Sequence, residues 1–182
     1  MNATFFSKIL TSHPVQLNIA NTNLAAKLWK SIRHDKEMRQ NIWLHINSLF
    51  DVKEYLDRVS IENMDLNDLN SEILYLLSID GHACIGTIHL HAFDLSEKKV
   101  EIGYWIRRSH EGHGYITSCL KLIEQEIKRI GFKKITLNCN SKNEKSIRIA
   151  TRNHFVLDNV TKNDFAEFDE LRDTFHYVKY LT

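Results

Sequence analysis

The sequence has 182 residues, a length that favours one domain. Hydrophobic residues make up 43% of it and charged residues 26%, the mixture of an ordinary globular protein, which excludes a disordered or fibrous chain. The 24 Lys and Arg residues and the 23 Asp and Glu residues leave a net charge of +1. Because a nucleic-acid binder normally carries a basic face, this balance argues against a nucleic-acid partner. We expect a single domain over residues 1–182.

The lack of targeting signals and the cysteine content indicate where the protein is located. No apolar run reaches the length of a membrane span, and the start, MNATFFSKIL, lacks the long apolar stretch of a secretory signal. We therefore expect no membrane partner and a cytoplasmic location. The cysteines Cys84, Cys119 and Cys139 are an odd number at wide spacings, which predicts reduced core residues rather than disulfides or a zinc site.

The first part of the chain predicts one strand and two helices. Alternation of apolar and polar residues over Val15–Ile19 predicts a short strand. Apolar residues at spacings of three and four predict a helix that begins after Asn21 and a second helix capped by Asp51. Between these helices, Asn41–Phe50 has no clear period and fits either a loop or a short helical turn.

The centre of the chain predicts an antiparallel meander. Two apolar runs, Ile73–Ile79 and Ala83–His91, flank Asp80 and Gly81, a dipeptide typical of tight hairpin turns. A polar turn then leads into a third strand, Val100–Ile106.

The last part of the chain predicts a crossover and a closing pair of strands. An apolar stripe predicts a helix over Tyr115–Ile130, with Gly131 as a left-handed C-cap. Lys134–Cys139 alternates as a strand, and a right-handed crossover would lay it parallel to Val100–Ile106. The remaining predicted elements are one helix and two strands, Asn143–Asn153, Phe155–Asn159 and Phe175–Leu181. The predicted class is α/β, with a mixed, mostly antiparallel sheet flanked by helices.

The segment from Val100 to Thr117, VEIGYWIRRSHEGHGYIT, carries most of the chemical information. A strand ends, a loop with Gly112 and Gly114 follows, and an amphipathic helix begins at once. Such glycines let the backbone approach a ligand, and the free amides of a first helical turn attract phosphate. Glycine pairs before helices also form simple turns, so the spacing alone leaves both interpretations open. The patterns of the nucleotide P-loop and of the Rossmann fold do not fit.

These residues resemble motif A of the Gcn5-related N-acetyltransferases (GNAT), which binds the pyrophosphate of acetyl-CoA. Two positions depart from the family pattern, because Glu111 replaces a glutamine or arginine and Ile116 replaces a small residue. The flanking segments EIGYWI and NEKSIR resemble the branch that acetylates the N-termini of ribosomal proteins. Arg152–Phe155 is most similar to members that acetylate the N-terminal serine of the acidic stalk protein.

The resemblance implies a fold and a co-substrate. It implies acetyl-CoA without a metal, and it implies that Val100–Ile106 and Lys134–Cys139 splay apart to admit pantetheine. Backbone groups of Trp105, Ile106 and Arg107 would hold the pantetheine amides and polarise the thioester carbonyl. The other implied cofactor-binding residues are Glu111, Gly112, His113, Gly114, Tyr115, Ile116 and Thr117 at the pyrophosphate, and Asn138, Asn143 and Ser146 beside the pantetheine or thioester.

Acetyl transfer to an amine needs a base for the amine and a proton for the departing thiolate. Glu101 is the expected base, acting through water, and the alternative is a strand carboxylate paired with Lys or Arg. Ser146 is the expected proton donor, with Asn143 holding the pantetheine or the acetyl group. Both residues would also suit plain helix capping.

The histidines suggest no metal site. His110 and His113 lack the spacing of the zinc protease motif, and for His89 and His91 a position on a sheet surface is favoured. The expected acceptor is a protein N-terminus with Ser or Ala, and small amines such as polyamines, antibiotics or amino acids are the alternative. The alternative from a different functional class is a non-catalytic acyl-CoA-binding module. For the oligomeric state, a homodimer stays open.

Overall fold

The computed structural model describes residues 6–34, 46–60, 65–68, 70–80, 84–167 and 170–181. Within these ranges, eight strands form one mixed sheet in the order β1-β2-β3-β4-β5-β6-β8-β7. The strands are β1 Ile9–Ser12, β2 Val15–Ile19, β3 Ile73–Ile79, β4 Cys84–Asp94, β5 Lys99–Ile106, β6 Lys134–Asn140, β7 Val156–Glu167 and β8 Glu170–Tyr180. The helices are α1 Ala25–Ile32, α2 Leu49–Arg58, α3 Tyr115–Arg129 and α4 Glu144–Arg152, with 3-10 turns at Thr22–Leu24 and Arg108–His110. The predicted α/β class is confirmed.

The two strands at the centre of the sheet, β5 and β6, form its parallel pair. β5 and β6 run parallel because α3 connects them by a crossover, while the other recorded strand pairs are antiparallel. The pairing of β5 with β6 begins at Lys99–Lys134 and ends at Glu101–Thr136. Beyond that point the two strands separate, as the resemblance implied. We call this gap the split.

The two faces of the sheet are covered differently. On one face, called the α3 face, Val100 and Ile102 of β5 are buried in a cluster that includes apolar residues of α3 and Ala150 of α4. On the other face, called the α2 face, α1 and α2 pack on β3 through Leu74 and Leu76. Past these two helices, the α2 face holds a cavity of about 810 Å³ over β5, β6 and β8. No helix in the described ranges is long and apolar enough to cross a bilayer.

The start of α2 corrects one prediction. Ser48 caps this helix, and Asp51 occupies the third helical position of a capping box. The Asp51 carboxylate accepts from the backbone N–H groups of Asn47 and Ser48, and these bonds and the Ser48 hydroxyl lower its pKa. Asp51 as the N-cap is therefore wrong, since an acidic residue stabilises a helix start from inside the first turn as well as from the cap.

The closing hairpin of β7 and β8 is longer than predicted. Its strands run on well past the short stretches Phe155–Asn159 and Phe175–Leu181. The pairing register shifts twice, between Leu157 and Asn159 and between Thr161 and Phe165, and Asn163 has a φ of +52°. Such bulges break the period of two on which strand prediction depends.

Two other predictions fall partly outside the described residues. The antiparallel pairing of β3 with β4 is confirmed, but Gly81 and Ala83 lie outside the described ranges. Residues 41–45 of the unperiodic stretch also lie outside them, while Leu49 and Phe50 begin α2.

Candidate functional site

The loop before α3 presents an open backbone. Gly112 and Gly114 both have a φ of +79°, and Gly114 is the N-cap of α3 in a left-handed conformation. A Cβ atom added to either glycine would meet no atom within 4 Å. No side chain caps the helix, so the first-turn amides of Tyr115, Ile116 and Thr117 are left for another partner. This is the geometry in which a backbone binds an anion.

The departures of this loop from the family pattern have different consequences. The Ile116 side chain is buried against the core, which leaves its backbone amide on the loop side. Glu111 Oε2 lies 2.6 Å from Nζ of Lys145, in the first turn of α4. This ion pair links the two elements that follow β5 and β6, and it places a carboxylate beside the loop.

The end of β5 is held by a close approach of β4. A Cβ atom at Gly86 would lie 2.3 Å from the carbonyl oxygen of Trp105, a distance that no side chain tolerates. The Arg107 N–H donates to the carbonyl of Ile85 at 2.7 Å, and the Arg107 guanidinium donates to the carbonyl of Ser31 at 2.9 Å. The backbone at Trp105, Ile106 and Arg107 is therefore fixed by its neighbours before any ligand binds.

Glu101 occupies the last paired position of β5 before the split. Its side chain is 23% exposed and lines the cavity on the α2 face. Burial raises the pKa of Glu101, and a hydrogen bond from Asn138 acts in the opposite direction. Asn138 lies on β6 just beyond Thr136, the partner of Glu101, and lines the same cavity.

The histidines of β4 correct a second prediction. His89 is buried, 3% exposed, with its Nε2 atom 3.3 Å from Glu72 Oε2, so a sheet-surface position for it is wrong. The His89 and His91 rings stack with centroids 4.6 Å apart, and His91 Nε2 lies 3.8 Å from Glu101 Oε1. Burial lowers the pKa of His91 to about 4. The alternation at this strand could not reveal the burial of His89, because it depends on residues distant in the chain, such as Glu72.

The loop histidines make local contacts. His110 Nδ1 lies 2.9 Å from Ser109 Oγ, and His113 Nδ1 lies 2.9 Å from the carbonyl of Glu111. Within the described ranges, no group of three or more His, Cys, Asp or Glu side chains could hold a metal ion.

On the α3 face, the split is flanked by two hydroxyl groups. Asn143 caps α4 by accepting from the Ser146 N–H at 3.0 Å, the structural role that the sequence left open. The Ser146 side chain neighbours the Tyr104 hydroxyl, whose pKa is raised by burial and lowered by Ser146. Tyr104 was not among the site residues predicted from the sequence. The signal was its place three residues after Glu101, because residues an odd number apart in a strand face opposite sides of the sheet.

The carboxylate of the site and its two hydroxyl groups lie on opposite faces of the sheet. Glu101 faces the cavity on the α2 face, whereas Tyr104 and Ser146 lie on the α3 face, and the split runs between them. A group lying in the split could lose a proton to one side and gain one from the other.

Comparison with known proteins identifies the family. Residues 18–156 match the Acetyltransferase (GNAT) domain, and the chain belongs to this family. It is 38% identical to YdaF of Bacillus subtilis (strain 168) over 93 residues, which are 50% of this chain and 48% of YdaF. It is 33% identical to the ribosomal-protein-serine acetyltransferase of Escherichia coli (strain K12) over 85 residues, which are 46% of each chain. Both matches span about half the length of these relatives.

A solved structure extends the similarity of fold to nearly the whole chain. RimL, a ribosomal L7/L12 alpha-N-protein acetyltransferase in complex with coenzyme A, superposes with a TM-score of 0.83 at 20% identity. The superposition covers 95% of this chain and 98% of RimL. At this level of identity the likeness shows the fold alone, and it agrees with the family match.

We predict that Gly86→Ala damages both stability and the site. The new methyl group must displace the Trp105 carbonyl, so the free energy of unfolding in urea should fall by about 1–3 kcal/mol. The affinity for acetyl-CoA measured by calorimetry should fall as well. Gly131→Ala is the control, because its Cβ meets no atom and its φ of +97° costs stability without touching the site. Equal affinities of the two variants would contradict this role of Gly86.

We also predict that Glu111→Gln tightens the binding of acetyl-CoA. Removing a carboxylate beside the anion-binding loop and releasing Lys145 should lower the Kd roughly two- to fivefold at low salt. This change corresponds to the free energy of one exposed ion pair. Glu144→Gln is the matched control, since Glu144 pairs with Arg148 at 3.1 Å within α4. An unchanged or weaker affinity of the Glu111 variant would show that the ion pair supports the loop instead.

Proposed function

We propose that the chain is an acetyl-CoA-dependent N-acetyltransferase, a single catalytic domain over residues 1–182, acting on the N-terminal α-amine of a ribosomal protein. The observation that carries the proposal is the split beside an uncapped, glycine-rich loop. A gap between parallel strands offers main-chain groups to an extended amide chain, and the loop next to it offers amides to a diphosphate. Acetyl-CoA contains both, joined to a reactive thioester.

The residues present fit this co-substrate. Gly112 and Gly114 leave open space where a ligand would approach, and no side chain competes for the helix amides. Trp105, Ile106 and Arg107 would take the pantetheine amides and the thioester carbonyl, while residues 111–117 would take the pyrophosphate. Asn143 and Ser146 would approach the sulfur end from α4. When bound, the thioester supplies an activated acetyl group with a thiolate as leaving group.

The names of relatives support a ribosomal acceptor. The curated relative from Escherichia coli is a ribosomal-protein-serine acetyltransferase, and the RimL structure holds coenzyme A. We infer for this chain an acceptor with Ser or Ala at its N-terminus, with the acidic stalk protein as the first candidate. A cytoplasmic location follows from such an acceptor.

Glu101 prepares the amine for attack. An N-terminal α-amine has a pKa of about 7.7–8.0, so a large part of it is protonated at neutral pH and lacks a free electron pair. The Glu101 carboxylate faces the cavity through which an amine would reach the split, and it accepts the amine proton directly or through one water. The electron pair left on nitrogen then forms the bond to the thioester carbonyl carbon, without an acetylated residue of the protein, and the second nitrogen proton passes to solvent water as the C–S bond breaks and the amide forms.

The opposite face supplies the other proton. As the C–S bond breaks, its electron pair goes to sulfur, and Ser146 donates a proton there, with the Tyr104 hydroxyl beside it to replace that proton. Backbone N–H groups of Trp105–Arg107 that β4 leaves unused would stabilise negative charge on the carbonyl oxygen during attack; the Arg107 N–H is not one of them, because it donates to the carbonyl of Ile85. Because β4 holds this backbone in place, it needs to move little as the charge develops.

The function is tested by thiol release from acetyl-CoA with a panel of acceptors. Peptides that begin with Ser or Ala should be acetylated at their α-amine, as checked by mass spectrometry, ahead of polyamines, aminoglycosides and free amino acids. Gly114→Val should abolish binding of acetyl-CoA in calorimetry with its circular dichroism unchanged, because a β-branched residue disfavours a φ of +79°. Preference for a small amine would replace the acceptor class, and binding without turnover would indicate a non-catalytic acyl-CoA module.

We predict that Ser146→Ala and Tyr104→Phe each lower kcat about tenfold or more with little change in acetyl-CoA affinity. Because the two hydroxyls would act as a unit, the double variant should lose little more than the poorer single variant. Thr151→Ala, on the same helix, is the matched control, since Thr151 Oγ1 donates to the carbonyl of Ile147 at 2.9 Å. Unchanged turnover of Ser146→Ala would remove Ser146 from the mechanism.

A further inference from the structure

A line of side chains from four strands ends at Glu101. Thr161 Oγ1 of β7 lies 2.7 Å from His176 Nε2 of β8, and His176 Nδ1 lies 3.0 Å from Asn138 Oδ1 of β6. Asn138 in turn lies one strand over from Glu101 of β5 on the same face of the sheet, where its amide acts to lower the pKa of the Glu101 carboxyl. Asn138 and His176 are register partners, and they line the cavity together with Glu101.

The chemistry of these groups gives the line one direction. An ionised carboxylate only accepts, so Asn138 presents its Nδ2 amide donor to Glu101. The amide oxygen of Asn138 then faces His176, whose Nδ1 must carry a proton to donate to it. In the neutral ring Nε2 is an acceptor, and the Thr161 hydroxyl donates to it. Each member is therefore held in the state that the next one requires.

We propose that Asn138 and His176 are positioning residues for Glu101, with Thr161 fixing the ring of His176. The ring prevents the Asn138 amide from turning over, so that Nδ2 rather than the oxygen faces the carboxylate of Glu101. This inference rests on the proposed function, in which Glu101 is the base. It assigns Asn138 a contact on the acceptor side of the split, in place of the cofactor contact that the family resemblance implied.

Several other groups face Glu101 and bear on its titration. His91 of β4 has its Nε2 atom 3.8 Å from Glu101 Oε1, Lys99 lies two residues earlier on β5, and His176 of β8 would act on Glu101 through its charge whenever its ring is protonated. Lys134 of β6 and Asp158 of β7 line the same cavity. None of these would depend on the orientation of the Asn138 amide, so a change of that amide alone isolates the line of hydrogen bonds.

The pH dependence of kcat/KM, with the best peptide of the acceptor panel, tests the proposal. The amide donor stabilises the charged form of Glu101, so its loss raises the pKa of this carboxyl and moves the acidic limb of the profile to higher pH. Asn138→Leu and His176→Phe should therefore lower kcat/KM on the acidic limb by up to about tenfold, the effect of one hydrogen bond to a charged group, and should change it much less on the plateau at higher pH.

His176→Asn provides the matched rescue. Its side-chain amide can donate from near the position of Nδ1, so the acidic limb should return toward that of the unmodified enzyme, whereas a merely structural role would not restore it. Urea unfolding of all three variants checks that they fold. Superimposable pH profiles for His176→Phe and the unmodified enzyme would overturn the proposal, as would an effect of Asn138→Leu on acetyl-CoA affinity alone.

A second measurement keeps this test separate from the proposed function. The carboxyl carbon of Glu101 is followed by NMR in protein labelled with 13C-glutamate, assigned by the loss of its signal in Glu101→Gln. Without any substrate, the Glu101 signal should titrate at higher pH in His176→Phe than in His176→Asn, since neither variant can carry the ring charge and only the second can hold the Asn138 amide. If the unmodified protein acetylates no acceptor but this shift occurs, the proposed function fails and the positioning stands. Coincident titrations in an active enzyme would reject the positioning alone.

Discussion

The separation of β5 from β6 after the pair Glu101–Thr136 is the constraint on which the rest of the site depends. Main-chain polar groups in a protein interior need partners, and two strands that part leave such groups along their facing edges. The strands cannot simply close, because β4 holds β5 and β8 holds β6 on their outer sides over most of their lengths. An extended ligand with amide groups, such as pantetheine, would complete the sheet as an added strand does.

The split also explains why the proposed base and the proposed proton donor lie on opposite faces of the sheet. Side chains alternate along β5, so a single strand places Glu101 toward the cavity and Tyr104 toward α4. A thioester lying between the strands would be reached by an amine from one face and by a proton donor from the other. The base and the acid then never compete for the same proton, and burial acts on each in its own surroundings: it raises the pKa of both groups.

Local signals in the sequence predicted much of the fold. The glycines of the loop, the stripe of α3 and the crossover to a parallel β6 all follow from residues close together in the chain. The sequence could not show that His89 is buried beside Glu72, that Glu111 pairs with Lys145, or that β7 and β8 continue through bulges. Each of these depends on packing or pairing between distant segments, or on a local break in strand period. Tyr104 was missed for a related reason, since its neighbour Ser146 lies beyond a helix and a strand.

The line from Thr161 to Glu101 links the base to the β7–β8 hairpin, most of which lies outside the residues that match the family. The β7–β8 hairpin forms one wall of the cavity that an acceptor would enter, and its register partner β6 forms the edge of the split. If His176 holds the Asn138 amide in place, Thr161 and His176 must be kept when other residues of this hairpin change to suit a different acceptor. Substitutions of Asp158 and Tyr180, which line the same cavity, leave this line of hydrogen bonds intact, although the charge of Asp158 bears on the titration of Glu101. The wall can thus vary in the shape and charge it shows to an acceptor while the carboxylate keeps its orientation.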